Sequence, residues 1–153
     1  MLPPGFHKFS AAAENLTLLA DAGDFFALIG GANPYLLLEL NIWQRGTTTL
    51  TMDSILLHRG TAGAGGGALT EYELTPSGAV ATTAAVSLPT TDVSTDTWQY
   101  RRGFNLLQEQ VNLMIPELWV PAAANVDFGL TRATTTAHTG VGVQAIWAEF
   151  TGD

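Results

Sequence analysis

The chain has 153 residues, enough to bury one sizeable core without a metal, and it contains no cysteine, which removes a disulfide framework, a thiolate metal site and a cysteine nucleophile. Charged residues make up 13%, about half of the roughly 25% usual in soluble domains, and the net charge is −8 with six basic residues, which argues against nucleic acid as a partner. No stretch approaches the roughly 18 apolar residues of a membrane span, and "MLPPGFHKFS" places two prolines where a signal peptide needs an apolar run, so a soluble chain with no membrane partner is expected.

Polar positions are filled by threonine rather than charge, as in "TTT" at 47–49 and 134–136, and Lys8 is the only lysine. A monomer of this size normally solvates its surface with abundant charge. A weakly charged, Thr- and Ala-rich exterior suits a chain whose outside is covered by neighbours.

In chain order, residues 1–14, with "PP", "PG" and "AAAE", predict an extended N-terminal arm, and residues 15–153 a single β-sandwich domain. "NLTLLA" and "DFFALIG" flank "DAGD", a hairpin turn signal. "PYLLLELNIWQRG" alternates, predicting Leu36, Leu38, Leu40 and Ile42 on one face and Glu39, Asn41 and Trp43 on the other. In "TTLTMDSILLHRG", Leu50, Met52 and Leu56 alternate against Thr51, Asp53 and Leu57. From Gly60 to Asp96 the pattern dissolves into Gly, Ala, Thr and Pro, with "LTEYEL" and "VATTAAVSL" as strand-like pieces in a long ordered excursion that Leu69, Tyr72 and Leu74 can anchor. "TDTWQYRRGFNLLQEQVNLMIPELWVP" opens as strand with a turn near Gly103, and its "NLLQEQVNLMI" fits either strand or a short helix. Val126, Phe128 and Leu130 point inward, and "GVGVQAIWAEF" closes as a strand. The sum is all-β: an antiparallel β-sandwich or jelly roll of about eight to ten short strands with long loops and no βαβ rhythm.

Catalytic chemistry is sparse. "GTAGAGGGAL" lacks the lysine and the helix start of a phosphate cradle, and its glycines suit tight turns or close approach to another subunit. His7, His58 and His138 share no short metal spacing, and no serine sits in GxSxG. Glu71 and Glu73 share a strand face, as a glycosidase pair would, but no aromatic sugar platform accompanies them. Asp92 and Asp96 match no calcium loop. No catalytic residue, cofactor or metal ligand is assigned, and the chain is expected not to be an enzyme.

"LLLELNIWQRG", "ILLHRGTAGAGGGALTEYELTPSGAVA", "RRGFNLL", "MIPELWVPAA" and "VQAIWAEF", spanning about residues 35 to 150, follow one another in an order that resembles small structural proteins of tailed-bacteriophage virions. The resemblance implies a jelly-roll-like capsid decoration (cement) protein, a homotrimer on the virion capsid surface assembled in the host cytoplasm, with the major capsid protein of the same virus as its partner. Composition points the same way, because cement works through apolar and aromatic anchors with few buried charges. The candidate contact segments are 1–14 and 60–78. The interface candidates are Phe6, Phe9, Trp43, Gly60, Gly63, Gly65, Leu69, Trp98, Arg101, Arg102 and Trp119. Deleting residues 1–12 is then expected to weaken capsid binding and spare the fold. The alternatives are a tail- or vertex-associated receptor- or carbohydrate-binding module and a small cupin-like enzyme.

Overall fold

The computed structural model describes residues 2–18, 23–44, 52–94, 99–105, 111–114, 120–132 and 138–152. Within them the chain is all-β, with strands β1 (Phe6–Leu18), β2 (Asp24–Ile29), β3 (Tyr35–Gln44), β4 (Met52–Gly60), β5 (Gly67–Ala68), β6 (Tyr72–Glu73), β7 (Ala84–Ser87), β8 (Gln99–Asn105), β9 (Val111–Met114), β10 (Val120–Ala122), β11 (Asp127–Arg132) and β12 (His138–Phe150). All pairings are antiparallel. The first sheet runs β10-β3-β12-β1-β6, with β9 also on β3, and the second runs β5-β7-β2-β11-β4-β8. Because β12 lies along one edge of β3, β9 and β10 take successive halves of the other. The strands from β1 to β4 alternate between the sheets, and after β8 the chain gives β9 and β10 to the first sheet, β11 to the second and β12 to the first, so the two sheets form a β-sandwich.

The two inner faces close on one apolar core. Phe9 and Trp147 stack within the first sheet, ring centroids 6.0 Å apart, and Tyr35 meets Phe128 of the second sheet edge-on at 5.7 Å. Phe26, Leu28, Leu37, Leu40, Ile42, Ile55, Leu57 and Leu130 fill the rest. Burying each such side chain stabilises the fold by about 1.5–3 kcal/mol before the entropy of ordering it is counted. A smaller cluster of Ala27, Val86 and Val93, with Ile29 against it, lies apart from this core.

Several expectations change. Residues 1–14 are not an arm: from Phe6 onward they form β1, which pairs with β12 from Phe6↔Phe150 to Leu18↔His138 and buries Phe9, Ala11 and Ala13. The local composition of small and polar residues hid an alternation two of whose inward members, Ala11 and Ala13, are small. β1 and β2 lie in different sheets, so the link around "DAGD" is a crossover and no hairpin. Gly103 sits inside β8 opposite Ser54, so no turn falls there. In β4 it is Ile55 and Leu57 that are buried while Leu56 is half-buried, because both faces of this strand carry apolar residues. In β3 a bulge opposite Ile146 and Trp147 inserts Leu38. Tyr35 and Leu37 therefore point inward before it and Leu40 and Ile42 after it, leaving Leu36 half-buried on the outward side. Phe128 and Leu130 are buried and Val126 packs against them, as the alternation predicts.

Candidate interaction surface

The connection between β4 and β8 decides which surfaces the sandwich leaves open. From Thr61 to Ser94 the chain leaves the end of β4, adds β7 and β5 to the edge of β2, and lays β6 against Phe9 and Ser10 of β1. The excursion thus closes parts of one edge of each sheet with its own backbone, which removes a template for unwanted strand pairing.

Buried carboxylates fasten it. Glu149, fully buried at the end of β12, accepts Thr82 N at 2.7 Å, Thr82 Oγ1 at 2.5 Å and Asn33 Nδ2 at 3.1 Å on one oxygen, and Thr83 N at 3.1 Å on the other. Asp127 at the start of β11 accepts Gly30 N at 2.8 Å and Gly63 N at 3.0 Å. Asp24 at the start of β2 accepts Val93 N at 2.9 Å, and its other oxygen lies 2.7 Å from Nε2 of buried His58. Glu71 accepts Ala85 N, and Glu73 accepts Ser77 Oγ and the amides of Ser77 and Gly78. Each carboxylate takes donors that a loop would otherwise leave without partners, and such charge-assisted bonds are among the stronger ones.

Protonation follows the same geometry. Burial raises Asp127 above the usual aspartate value, while the Gly30 and Gly63 amides pull it down. The Ser77 hydroxyl holds Glu73 below the usual glutamate range, with the amides of Ser77, Gly78 and Ala79 assisting. Burial pushes the Tyr35 hydroxyl well above 10, and the negative charges of Asp127 and Glu149 push it further. Tyr35 therefore stays a donor, to Val126 O at 2.7 Å.

Glycines let the excursion approach closely. A Cβ on Gly60 would lie 1.4 Å from Ser94 O, a contact no side chain survives, and Gly65 has φ +71, the left-handed region that glycine enters without strain. Gly63 packs against Val93 and Ile29. Leu69 is half-buried against the main core. Gly60, Gly63 and Leu69 are thus used within the chain, and the segment 60–78, expected to reach outward to neighbours, folds back on its own sheets. Its glycine-rich sequence carries no signal that tells internal from external contact.

The outward face of the first sheet is mixed: among the described residues Lys8 is exposed and Leu36, Glu39 and Ile146 are half-buried, while Ser10, Asn41 and Ala148 are buried. Pairing places Ser10, Ile146 and Glu39 in one row across β1, β12 and β3, and Lys8, Ala148 and Leu36 in the next. Phe6 and Phe150 form an aromatic pair at 5.5 Å at one end, and Phe150 is 42% exposed. Tyr72, opposite Ser10 on β6, is 64% exposed. Half-buried Trp43 lies over Gly142, where a Cβ would meet its ring at 2.1 Å. Of the interface candidates, Phe6 and Trp43 lie at opposite ends of this face, but Phe9 is 1% exposed and belongs to the core. The backbones of Arg101 and Arg102 lie in β8, at the end of the second sheet's strand order, paired with Leu56 and Ile55. Trp98 and Trp119 lie outside the described residues.

Other chemistry-bearing groups serve local contacts. His7 Nδ1 lies 2.8 Å from Ser77 Oγ. An open groove of about 430 Å³ is lined by Leu18, Phe25, Pro89 and the polar Asp24, Asp92 and Arg132. Among the described residues no cluster of three or more His, Cys, Asp or Glu is placed to hold a metal, and no helix is long and apolar enough to cross a membrane. The sequence missed the fastening carboxylates. Asp24, Asp127 and Glu149 each stand at the end of an apolar strand run, which is the signal available to find them.

No protein-family model matches this chain, and comparison with curated proteins finds no match.

Proposed function

We propose that this chain is a structural virion protein that binds the capsid surface and stabilises contacts between capsomers, with no catalysis of its own. The observation that carries the reading is the outward face of the first sheet: a weakly charged sheet surface with aromatic groups at its ends, on a sandwich that closes part of one edge of each sheet with its own chain. Such a face works by area, the way decoration proteins hold a shell together. The buried acids support the reading, because they hydrogen-bond to loops of the same chain where an active site would leave them open to substrate. The sequence resemblance adds the major capsid protein as partner and a trimer as the assembling unit.

The test is the number of copies of this chain per purified particle, by quantitative mass spectrometry. Copies comparable to the main shell subunit, roughly hundreds in a closed symmetric lattice, support cement. About a dozen would move the chain to the tail or a vertex and favour a receptor-binding role. Absence from particles would overturn the virion reading.

A further inference from the structure

We propose that the groove at the end of β4, lined by Arg59, Thr61, Ser94, Ala123 and Val126, binds the carboxylate of a small, otherwise apolar acid. The groove goes beyond the capsid reading: it shares no residue with the outward face of the first sheet, and its ligand is measured on the isolated chain.

The groove holds about 380 Å³, within the roughly 300–1,000 Å³ of small-molecule sites. It forms where the end of β4, Ser94 of the excursion and the turn between β10 and β11 come together. Exposed Ala123 and half-buried Val126, which packs against the core, give it an apolar wall.

Its charge is opposite to that of the chain. The protein carries −8, yet among the described residues Arg59 is the one charged group lining the groove. Residues directly opposite in an antiparallel pair point to the same side, so Arg59, opposite Phe128, is directed toward the gap between the sheets. Its positive charge there is felt by the Tyr35 hydroxyl, whose pKa it lowers against the larger effects of burial and of Asp127 and Glu149. Asp127, one step along β11, turns to the other side, where its carboxylate accepts Gly30 N and Gly63 N. Arg59 has contacts within its own chain, but a guanidinium has five N–H donors to share between those contacts and an anion.

The neutral groups favour an anion as well. Thr61 N donates to Ser94 Oγ at 3.1 Å, and the two hydroxyls stand 3.3 Å apart. Only one of two paired hydroxyls donates to the other, so the second hydrogen can turn to a ligand. The carbonyls that would repel an anion are engaged: Thr61 O accepts Ser94 N at 2.8 Å, and Val126 O accepts the Tyr35 hydroxyl at 2.7 Å. One guanidinium balances one negative charge, and a chain of −8 disfavours a second. A monocarboxylate with a short apolar body therefore fits better than a phosphate dianion.

The experiment is titration of the full chain with butyrate, its neutral isostere butyramide and inorganic phosphate, followed by the amide and methyl NMR shifts of Thr61, Ser94, Ala123 and Val126. Butyrate is expected to saturate these shifts at millimolar concentration, at least tenfold more tightly than butyramide or phosphate. Arg59→Gln and Ala123→Glu are each expected to weaken butyrate by about tenfold or more, the first by removing the cation and the second by placing a like charge at the rim. Lys8→Gln, at an exposed position on β1, is expected to change it by less than about twofold. If Arg59→Gln fails to melt cooperatively, Ala123→Glu at its exposed site decides. No saturation by about 50 mM butyrate, equal or tighter binding of butyramide or phosphate, or unchanged affinity in Ala123→Glu overturns the proposal. None of these outcomes bears on copy number in particles, so the capsid reading and this site fail separately.

Discussion

Tyr35 shows how much of this fold depends on single polar atoms placed at the boundary of the core. Its ring closes the gap between the sheets against Phe128, and its hydroxyl donates to Val126 O just before Asp127 fastens Gly30 and Gly63. Tyr35→Phe keeps the ring and leaves the Val126 carbonyl without that donor, so a loss of about 1–2 kcal/mol in urea unfolding is expected. The same substitution carries a pH signature. Burial, then the Asp127 and Glu149 charges, raise the folded-state pKa of Tyr35 well above 10. In the unfolded chain the hydroxyl ionises near 10, while in the folded chain it keeps its proton. Stability is therefore full below about pH 10 and falls as pH rises beyond it, a slope that Tyr35→Phe lacks. Equal slopes in the two proteins between pH 9 and 11 would show that Tyr35 is not held as its geometry implies. In the sequence, Tyr35 is only the first letter of an apolar run. Its partners stand 91 to 114 positions away, at Val126, Asp127 and Glu149, beyond the reach of any local pattern.

At the scale of elements, alternation revealed strands wherever it ran unbroken and misled wherever a bulge reset it. β11 and β12 were legible, because Phe128 and Leu130 alternate without interruption and "VQAIWAEF" is long. β3 was legible as a strand and wrong in its first half, since Leu38 occupies a bulge that only β12 explains. The first part of β1 was illegible, because Ala11 and Ala13 are too small to mark an inward face, and only its end was read, in the strand-like "NLTLLA"; two register shifts follow Ala13. The outward face of the first sheet was half legible: Trp43 was placed outward by its neighbours Glu39 and Asn41, while Phe6 and Phe150 needed the pairing of β1 with β12. The structure reverses the expectation for residues 1–12. Removing them deletes Phe9 from the core and the β1–β12 rungs from Phe6 to Ala12, together with the contact between β1 and β6. Loss of the phenylalanine alone costs about 3–5 kcal/mol, against a total stability of about 5–15 kcal/mol for a domain. The truncated chain is expected to show no cooperative thermal transition by circular dichroism. A sharp melt within a few degrees of wild type would restore the arm.

The whole molecule is closed by its last strand. β12 lies between β1 and β3, so it supplies the central ladder of the first sheet, and it brings Trp147 to Phe9 and Glu149 to Thr82. Phe6 pairs with Phe150, so the outermost rung joins positions 144 residues apart. The first sheet consequently has no central strand until nearly the whole chain is present, whereas β2, β4 and β11 can pair earlier. Contacts this distant in sequence carry the full cost of loop closure before they return any stability, which places the chain among slow β-topology folders, with refolding in about milliseconds to seconds or longer. A chain ending at residue 137 retains every residue of the second sheet and every fastening acid except Glu149, yet it leaves β1 and β3 without their shared partner. It is expected to lack a cooperative urea transition and to expose apolar surface that binds a hydrophobic dye, with a synthetic peptide of residues 138–152 restoring the transition when added in excess. A cooperative transition in the truncated chain alone would show that the second sheet and the excursion fold as a unit, and that β12 is added to a structure already formed.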